Sequence, residues 1–154
     1  MRHALGVVGG VGQALIGVGF LLLVLLLIAI RGPVIEARLL PVWNSMTIEW
    51  EPLGATGGKL AGHVYGHKAR GECRLQEIVA MVRQGRYWSR SDILINGRTP
   101  GTATRPEGWQ TLGLWQFSEA GDRLRMTAHY QCHELWQTPA TLGEWATPIK
   151  GDPS

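Results

Sequence analysis

The N-terminal part of the chain is a long apolar segment. From Ala4 to Ile30 the one polar side chain is Gln13, and Arg31 follows directly. At a rise of about 1.5 Å per residue, such a helix is ~40 Å long, enough to cross a hydrocarbon core of ~30 Å with some tilt. The pattern predicts a transmembrane helix. We expect Arg31-Gly32-Pro33 to end it, because proline cannot continue a helix.

The rest of the chain consists of short runs that alternate apolar and polar residues, as strands with one buried face do. The clearest run is Arg123 to Glu134, and Asn96-Gly97 is a strong signal for a tight turn. A helix at Leu75 to Val82 stays open as an alternative, because short apolar runs are ambiguous. The predicted extended segments are 34–43, 46–53, 59–70, 73–82, 86–95, 109–117, 123–134 and 138–147.

The number and spacing of these segments determine the predicted fold class. We expect one N-terminal transmembrane α-helix followed by an all-β domain built as a two-sheet sandwich. Residues 1–31 would form the membrane anchor, residues 34–149 the extracytoplasmic β-sandwich domain, and residues 150–154 a polar tail.

Four residues of the predicted β domain form a recognisable set. Cys73, Trp88 and Cys132 resemble the Cys…Trp…Cys set of immunoglobulin-like domains, and Tyr130-Gln131-Cys132 is similar to their Tyr-x-Cys corner. The resemblance implies an immunoglobulin-like sandwich in which the cysteines join facing sheets and Trp88 and Tyr130 lie in the core. As a whole, the chain also resembles small single-pass proteins of unknown function from phages and prophages, a likeness that brings no activity with it.

The two cysteines also bear on the compartment. Each falls in an apolar, strand-like run, so both Cys73 and Cys132 are expected inside the domain, where we predict a disulfide. Disulfides persist in the periplasm or outside the cell, so this pairing places the domain there, on an anchor in the inner (cytoplasmic) membrane. Two unpaired buried thiols remain the alternative. The positive-inside count does not decide, because Arg2 faces Arg31 and Arg38 across the span.

The apolar segment itself has two further interpretations. A secretory signal has a shorter apolar region and a small residue before its cleavage site, whereas Arg31 stands there in this chain, so we expect an uncleaved anchor. Gly6, Gly10 and Ala14 are spaced four apart, which allows close helix packing in a homodimer or against another envelope protein. The alternative is that glycine is simply frequent in membrane helices.

Charge and motifs restrict the function classes. The net charge is +3, and because Arg2 and Arg31 flank the span, the remainder is almost neutral, which does not suit nucleic-acid binding. The sequence contains no Gly-x-Ser-x-Gly elbow and no Walker loop. We therefore expect a non-catalytic binding or interaction protein without a cofactor, whose membrane partner is the lipid bilayer.

Two pairs of histidines provide the alternative function. His63 and His67 are four residues apart, as are His129 and His133. If their strands were antiparallel neighbours, His63 would oppose His133 and His67 would oppose His129, giving two halves of a zinc or copper site. The alternative is therefore a periplasmic protein that handles a metal or small ligand; solvent-facing histidines are the simpler interpretation.

Seven tryptophans are many for a chain of 154 residues. Trp43 and Trp50 follow the anchor and suit a bilayer interface, where indole rings are favoured. The others either fill the core of the sandwich or form an exposed face for a partner.

Overall fold

The computed structural model describes residues 4–52 and 59–148, and for residues 4–14 it describes the backbone only. The polar tail predicted at residues 150–154 lies outside these ranges. One helix and nine strands occupy the described residues. They are α1 (Ala4–Leu39), β1 (Trp43–Trp50), β2 (Leu60–Lys68), β3 (Arg74–Gln84), β4 (Tyr87–Ser91), β5 (Ile93–Ile95), β6 (Ala103–Thr104), β7 (Gly108–Phe117), β8 (Arg123–Gln131) and β9 (Gln137–Ala146).

The helix is longer than the sequence suggested. It continues through Pro33 to Leu39, so the predicted end at residues 31–33 and the extended segment beginning at residue 34 are both wrong. Proline removes one backbone donor and weakens the helix, but contacts of the last turns with the β domain compensate. The helix ends just before Pro41, which disfavours the helical conformation of the residue preceding it.

The strands form two antiparallel sheets, as predicted. The first sheet has the order β1-β2-β7-β5 and the second has the order β4-β3-β8-β9, with β6 paired to the start of β3. Consecutive strands β4 and β5 belong to different sheets, so the single predicted segment 86–95 is divided at Asp92. The predicted tight turn is present, because Asn96 and Gly97 both have positive φ and Ile95 and Arg98 exchange backbone hydrogen bonds.

Alternating residues of both sheets form one hydrophobic core. On β8, Leu124, Met126, Ala128 and Tyr130 are buried, as the sequence pattern predicts. β3 is a strand, which excludes the alternative helix at residues 75–82. The fold class of one helix and a two-sheet all-β domain is therefore confirmed.

Two glycines of β2 make room for tryptophan rings of β1. An ideal Cβ on Gly66 would lie 2.8 Å from the ring of Trp43, and one on Gly62 would lie 3.2 Å from the ring of Trp50. Both rings pack against the core, and the Trp50 indole donates to the Ala146 carbonyl on the facing sheet at 2.9 Å. Their packing against the core accounts for these two tryptophans, and a place at a bilayer interface stays a prediction.

Cys73 and Cys132 form a disulfide, with their Cα atoms 4.0 Å apart. They extend the neighbouring strands β3 and β8, in which Arg74 pairs with Gln131. The bridge therefore joins two strands of one sheet, and the facing-sheet arrangement implied by the immunoglobulin resemblance is wrong. A bridge between residues 59 apart still restricts the unfolded chain, by roughly 4 kcal/mol in a chain-entropy model.

Trp88 does not have the core position that the resemblance implied. It lies half-buried on β4, outside the core cluster, with the guanidinium of Arg125 4.4 Å from its ring centroid. The buried tryptophan is Trp115, at 3% exposure. Alternation along residues 86–95 did not reveal this, because it does not specify which face of a strand is inside.

The predicted helix-packing residues lie in the part of α1 described by its backbone alone. Gly6, Gly10 and Ala14 are all helical there. Close packing of these residues against a second copy of the chain or another envelope protein stays a prediction.

The disulfide predicts the outcome of thiol alkylation. We expect that the full-length protein, taken from cells directly into denaturant, reacts with an alkylating agent at neither cysteine unless it is first reduced, and at both afterwards. Mass spectrometry of the intact chain measures this. Modification of Cys73 and Cys132 without reduction would contradict the bridge and the compartment inferred from it.

Candidate functional site

A buried carboxylate joins the helix to the β domain. Glu36 lies in the last turns of α1, and its side chain is 10% exposed. One oxygen accepts from Arg70 Nη1 at 2.7 Å; the other accepts from Trp136 Nε1 at 2.8 Å and Thr138 Oγ1 at 2.7 Å. His133 Nε2 lies 3.0 Å from that second oxygen. We call Glu36, Arg70, His133, Trp136 and Thr138 the helix clamp.

The clamp is assembled from three separate parts of the chain. Arg70 follows β2, while His133 and Trp136 belong to the β8–β9 loop (residues 132–136), which begins at the disulfide-bonded Cys132. The ring of Trp136 also covers Gly32, where an ideal Cβ would be 2.9 Å from it. The helix is therefore held by a charge interaction at Glu36 and by close packing one turn earlier.

The electrostatics of the clamp favour a charged pair. Burial of the Arg70 guanidinium lowers its pKa, but hydrogen bonds to Glu36 and Glu72 outweigh burial and raise the pKa above its usual value. Both Glu36 oxygens are engaged by donors, so this carboxylate has a structural role and is poorly placed to act as a base.

A second feature is an apolar cleft between the two sheets, with a volume of about 210 Å³. Residues of the first sheet, of the second sheet and of segment 99–103 line it. The larger apolar side chains at its surface include Trp43, Met46, Leu75, Ile78, Leu112 and Trp115.

Lys68 borders this cleft and is 1% exposed. Its ammonium donates to the carbonyls of Cys73 at 2.9 Å, Arg105 at 2.7 Å and Gly71 at 3.4 Å. Burial lowers the pKa of Lys68, while the carbonyl oxygens satisfy its three donors. Lys68 therefore fixes two loops beside the disulfide.

Tyr130 also borders the cleft. Its hydroxyl accepts a hydrogen bond from Trp43 Nε1 at 2.7 Å, and burial raises its pKa to about 12. The phenol is therefore neutral at physiological pH. The tyrosine lies in the core, as the resemblance implied, and links β8 to β1 of the facing sheet.

The predicted histidine pairs do not form. His63 and His67 lie on β2 of the first sheet, whereas His129 lies on β8 of the second sheet and His133 follows it, so these strands are not neighbours. His63 contacts Glu51 at 3.2 Å, and His133 belongs to the helix clamp. Among residues 4–52 and 59–148, no group of three His, Cys, Asp or Glu side chains is arranged to hold a metal ion.

Sequence reasoning missed Glu36 and Lys68, although each had a signal. Glu36 is the first acidic residue of the chain and comes shortly after the apolar segment. Lys68 shares a face of β2 with Leu60 and Val64, so strand alternation alone assigns it to the buried side. A buried cation requires several acceptors, which alternation does not identify.

Comparisons of the chain with protein-family models, with curated proteins and with solved structures find no match.

The helix clamp predicts a large effect of a small substitution. Glu36→Gln keeps the size of the side chain but leaves Arg70 with Glu72 as its remaining carboxylate partner and removes the charge that accepts from Trp136 and Thr138, so we expect it to lower the free energy of unfolding by about 2 kcal/mol. The control is Glu77→Gln, which removes the exposed Glu77–Arg90 pair and should cost less than about 1 kcal/mol. Denaturant unfolding of the full chain in lipid nanodiscs measures both. Equal effects of the two variants would contradict the clamp.

Proposed function

We propose that this protein is a single-pass membrane protein whose β domain lies outside the cytoplasm and binds an apolar group in the cleft between its sheets. The cleft is the observation that carries the binding function. The helix supports the anchoring, and the disulfide supports the compartment.

The support for anchoring comes from the surface of α1. The helix from Leu15 to Leu39 is long and apolar enough to cross a membrane. Its large side chains are largely uncovered by protein: Ile16 is 75% exposed and Phe20 is 68% exposed. A continuous apolar surface of this kind is costly in water and favourable in lipid.

The helix clamp supports an uncleaved anchor. Gly32 and Glu36 follow the apolar segment directly and are packed against the domain, so α1 continues from the predicted span into the folded part without a linker. The disulfide favours an oxidising space, which supports the periplasm or the cell exterior.

The size and lining of the cleft indicate the kind of ligand. An apolar cavity of about 150 Å³ can bind benzene in an engineered protein, so 210 Å³ suits an aromatic ring, a short alkyl chain or an apolar side chain of a partner. Lys68 and Tyr130 have their polar atoms engaged within the protein. Because these polar atoms are already bonded within the protein, we propose that the cleft binds its ligand without a reaction.

The alternative function now rests on different residues. The histidine pairs no longer provide a metal geometry, because their strands lie in different sheets. Handling of a small ligand survives as a function of the cleft. The origin suggested by the resemblance to phage proteins stays a prediction.

Binding in the cleft can be tested with the methionine methyl groups. Met46 lines the cleft, whereas Met81 on β3 does not. With 13C-methyl methionine in the full-length protein in nanodiscs, we expect added indole to shift the Met46 resonance saturably and to leave Met81 unchanged.

A matched pair of variants locates the bound indole. Ala103 lines the cleft, and its neighbour Thr104 on β6 is exposed and does not line it. Ala103→Phe should fill part of the cleft and abolish the shift, while Thr104→Phe should retain it. An unchanged Met46 resonance, or a shift that persists in Ala103→Phe, would refute binding in the cleft.

A further inference from the structure

The β8–β9 loop extends along the helix toward the predicted membrane. Trp136 at its end packs on Gly32, although the loop belongs to the β domain. Gly32 comes two residues after Ile30, the last residue of the apolar segment, so the ring lies only about 3 Å further along the helix axis. If α1 spans the membrane as proposed, the loop therefore lies at nearly the same position along the helix axis as the surface of the bilayer.

The chemistry of this region matches a headgroup layer. Ile30 is 59% exposed, and the next residue, Arg31, is the first charge after the apolar segment and is also exposed. Arginine at such a position extends toward lipid phosphates, and tryptophan is enriched at the same depth. Trp136 lies at this depth, with its indole N–H donated to Glu36 and its ring packed on the helix, and so fixes the position of the loop there.

Leu135 is the exposed apolar residue of the loop. Its side chain is 79% exposed, directly beside Trp136. Single exposed leucines are common on protein surfaces, so exposure alone would indicate nothing. The argument for a membrane contact comes instead from the position of Leu135. His133 and Trp136, which flank it in the chain, both contact Glu36 and so hold the loop against the helix near the predicted edge of the hydrocarbon core.

We propose that the β8–β9 loop is a second membrane contact, in which Leu135 enters the interfacial region of the leaflet beside the β domain. The inference depends on the proposed anchoring and adds an orientation to it. With the helix as the sole contact, the domain could change its orientation on the membrane whenever the helix tilts or rotates. A second contact point, held by the disulfide at Cys132 and by the clamp, restricts which side of the domain faces the lipid.

Spin-label accessibility in the full-length protein tests this contact. The two native cysteines are disulfide-bonded, so a nitroxide can be attached to one added cysteine at a time. Leu135→Cys is compared with Tyr87→Cys, at a side chain that is equally exposed (80%) and lies on β4 next to the β3–β4 turn, at the end of β3 opposite the disulfide. Leu23→Cys, seven residues before Ile30, marks a position within the proposed span.

The measurement is the ratio of oxygen to nickel-chelate accessibility in liposomes of neutral phospholipid. We expect the ratio at Leu135 to be several-fold above that at Tyr87 and below that at Leu23. A ratio at Leu135 equal to that at Tyr87, with Leu23 in the hydrocarbon, would overturn the loop contact and leave the anchor intact. A water-like ratio at Leu23 would overturn the anchor, and the loop contact with it. Unfolding midpoints of the labelled proteins confirm that each is folded.

Discussion

One buried carboxylate determines how the two parts of this protein are joined. A charged group inside a protein must be matched by hydrogen bonds or opposite charge, and Glu36 obtains both from Arg70, Trp136 and Thr138. This demand can be met only when the end of the helix lies against the domain. With the helix end held there, α1 continues past Pro33, and Gly32 leaves room for the ring of Trp136.

The same principle operates a second time beside the cleft. Lys68 is a buried cation, and its ammonium gathers carbonyls from the segments before β3 and after β6. Together with the disulfide, Lys68 and Glu36 hold the loops at the helix-proximal end of both sheets. The cleft borders this fixed end, since Trp43 and Lys68, which are paired in register, both line it. A binding site with such support has walls that are largely preformed, which lowers the cost of ordering on binding.

Local patterns in the sequence were sufficient for local structure. Alternation along β8 identified its buried face, Asn96-Gly97 identified a turn, and the two cysteines identified a bridge. Alternation does not state to which sheet a strand belongs. The facing-sheet position of the cysteines came from the resemblance to immunoglobulin-like domains, and the histidine pairs required the strands of His63 and His129 to be neighbours; neither arrangement is present.

The features missed by the sequence analysis depend on contacts between distant residues. The helix was expected to end at Pro33 because local propensity was considered without Arg70 and Trp136, which lie far along the chain. Trp88 was assigned to the core by resemblance, whereas the chain crosses between sheets at Asp92 and leaves Trp88 on the outside, under Arg125. Glu36 and Lys68 are buried because they bond to partners from distant parts of the chain, and a local sequence pattern does not identify such partners.

The central claim is that α1 and the β domain form one rigid unit through the helix clamp. The most direct measurement is the distance distribution between nitroxides at Ile30→Cys and Tyr87→Cys, by pulsed electron paramagnetic resonance on the full-length protein in nanodiscs. We predict one narrow distribution, which broadens when Glu36→Ala is added and stays narrow when Glu77→Ala is added. A broad distribution in the protein with Glu36 intact would contradict the account.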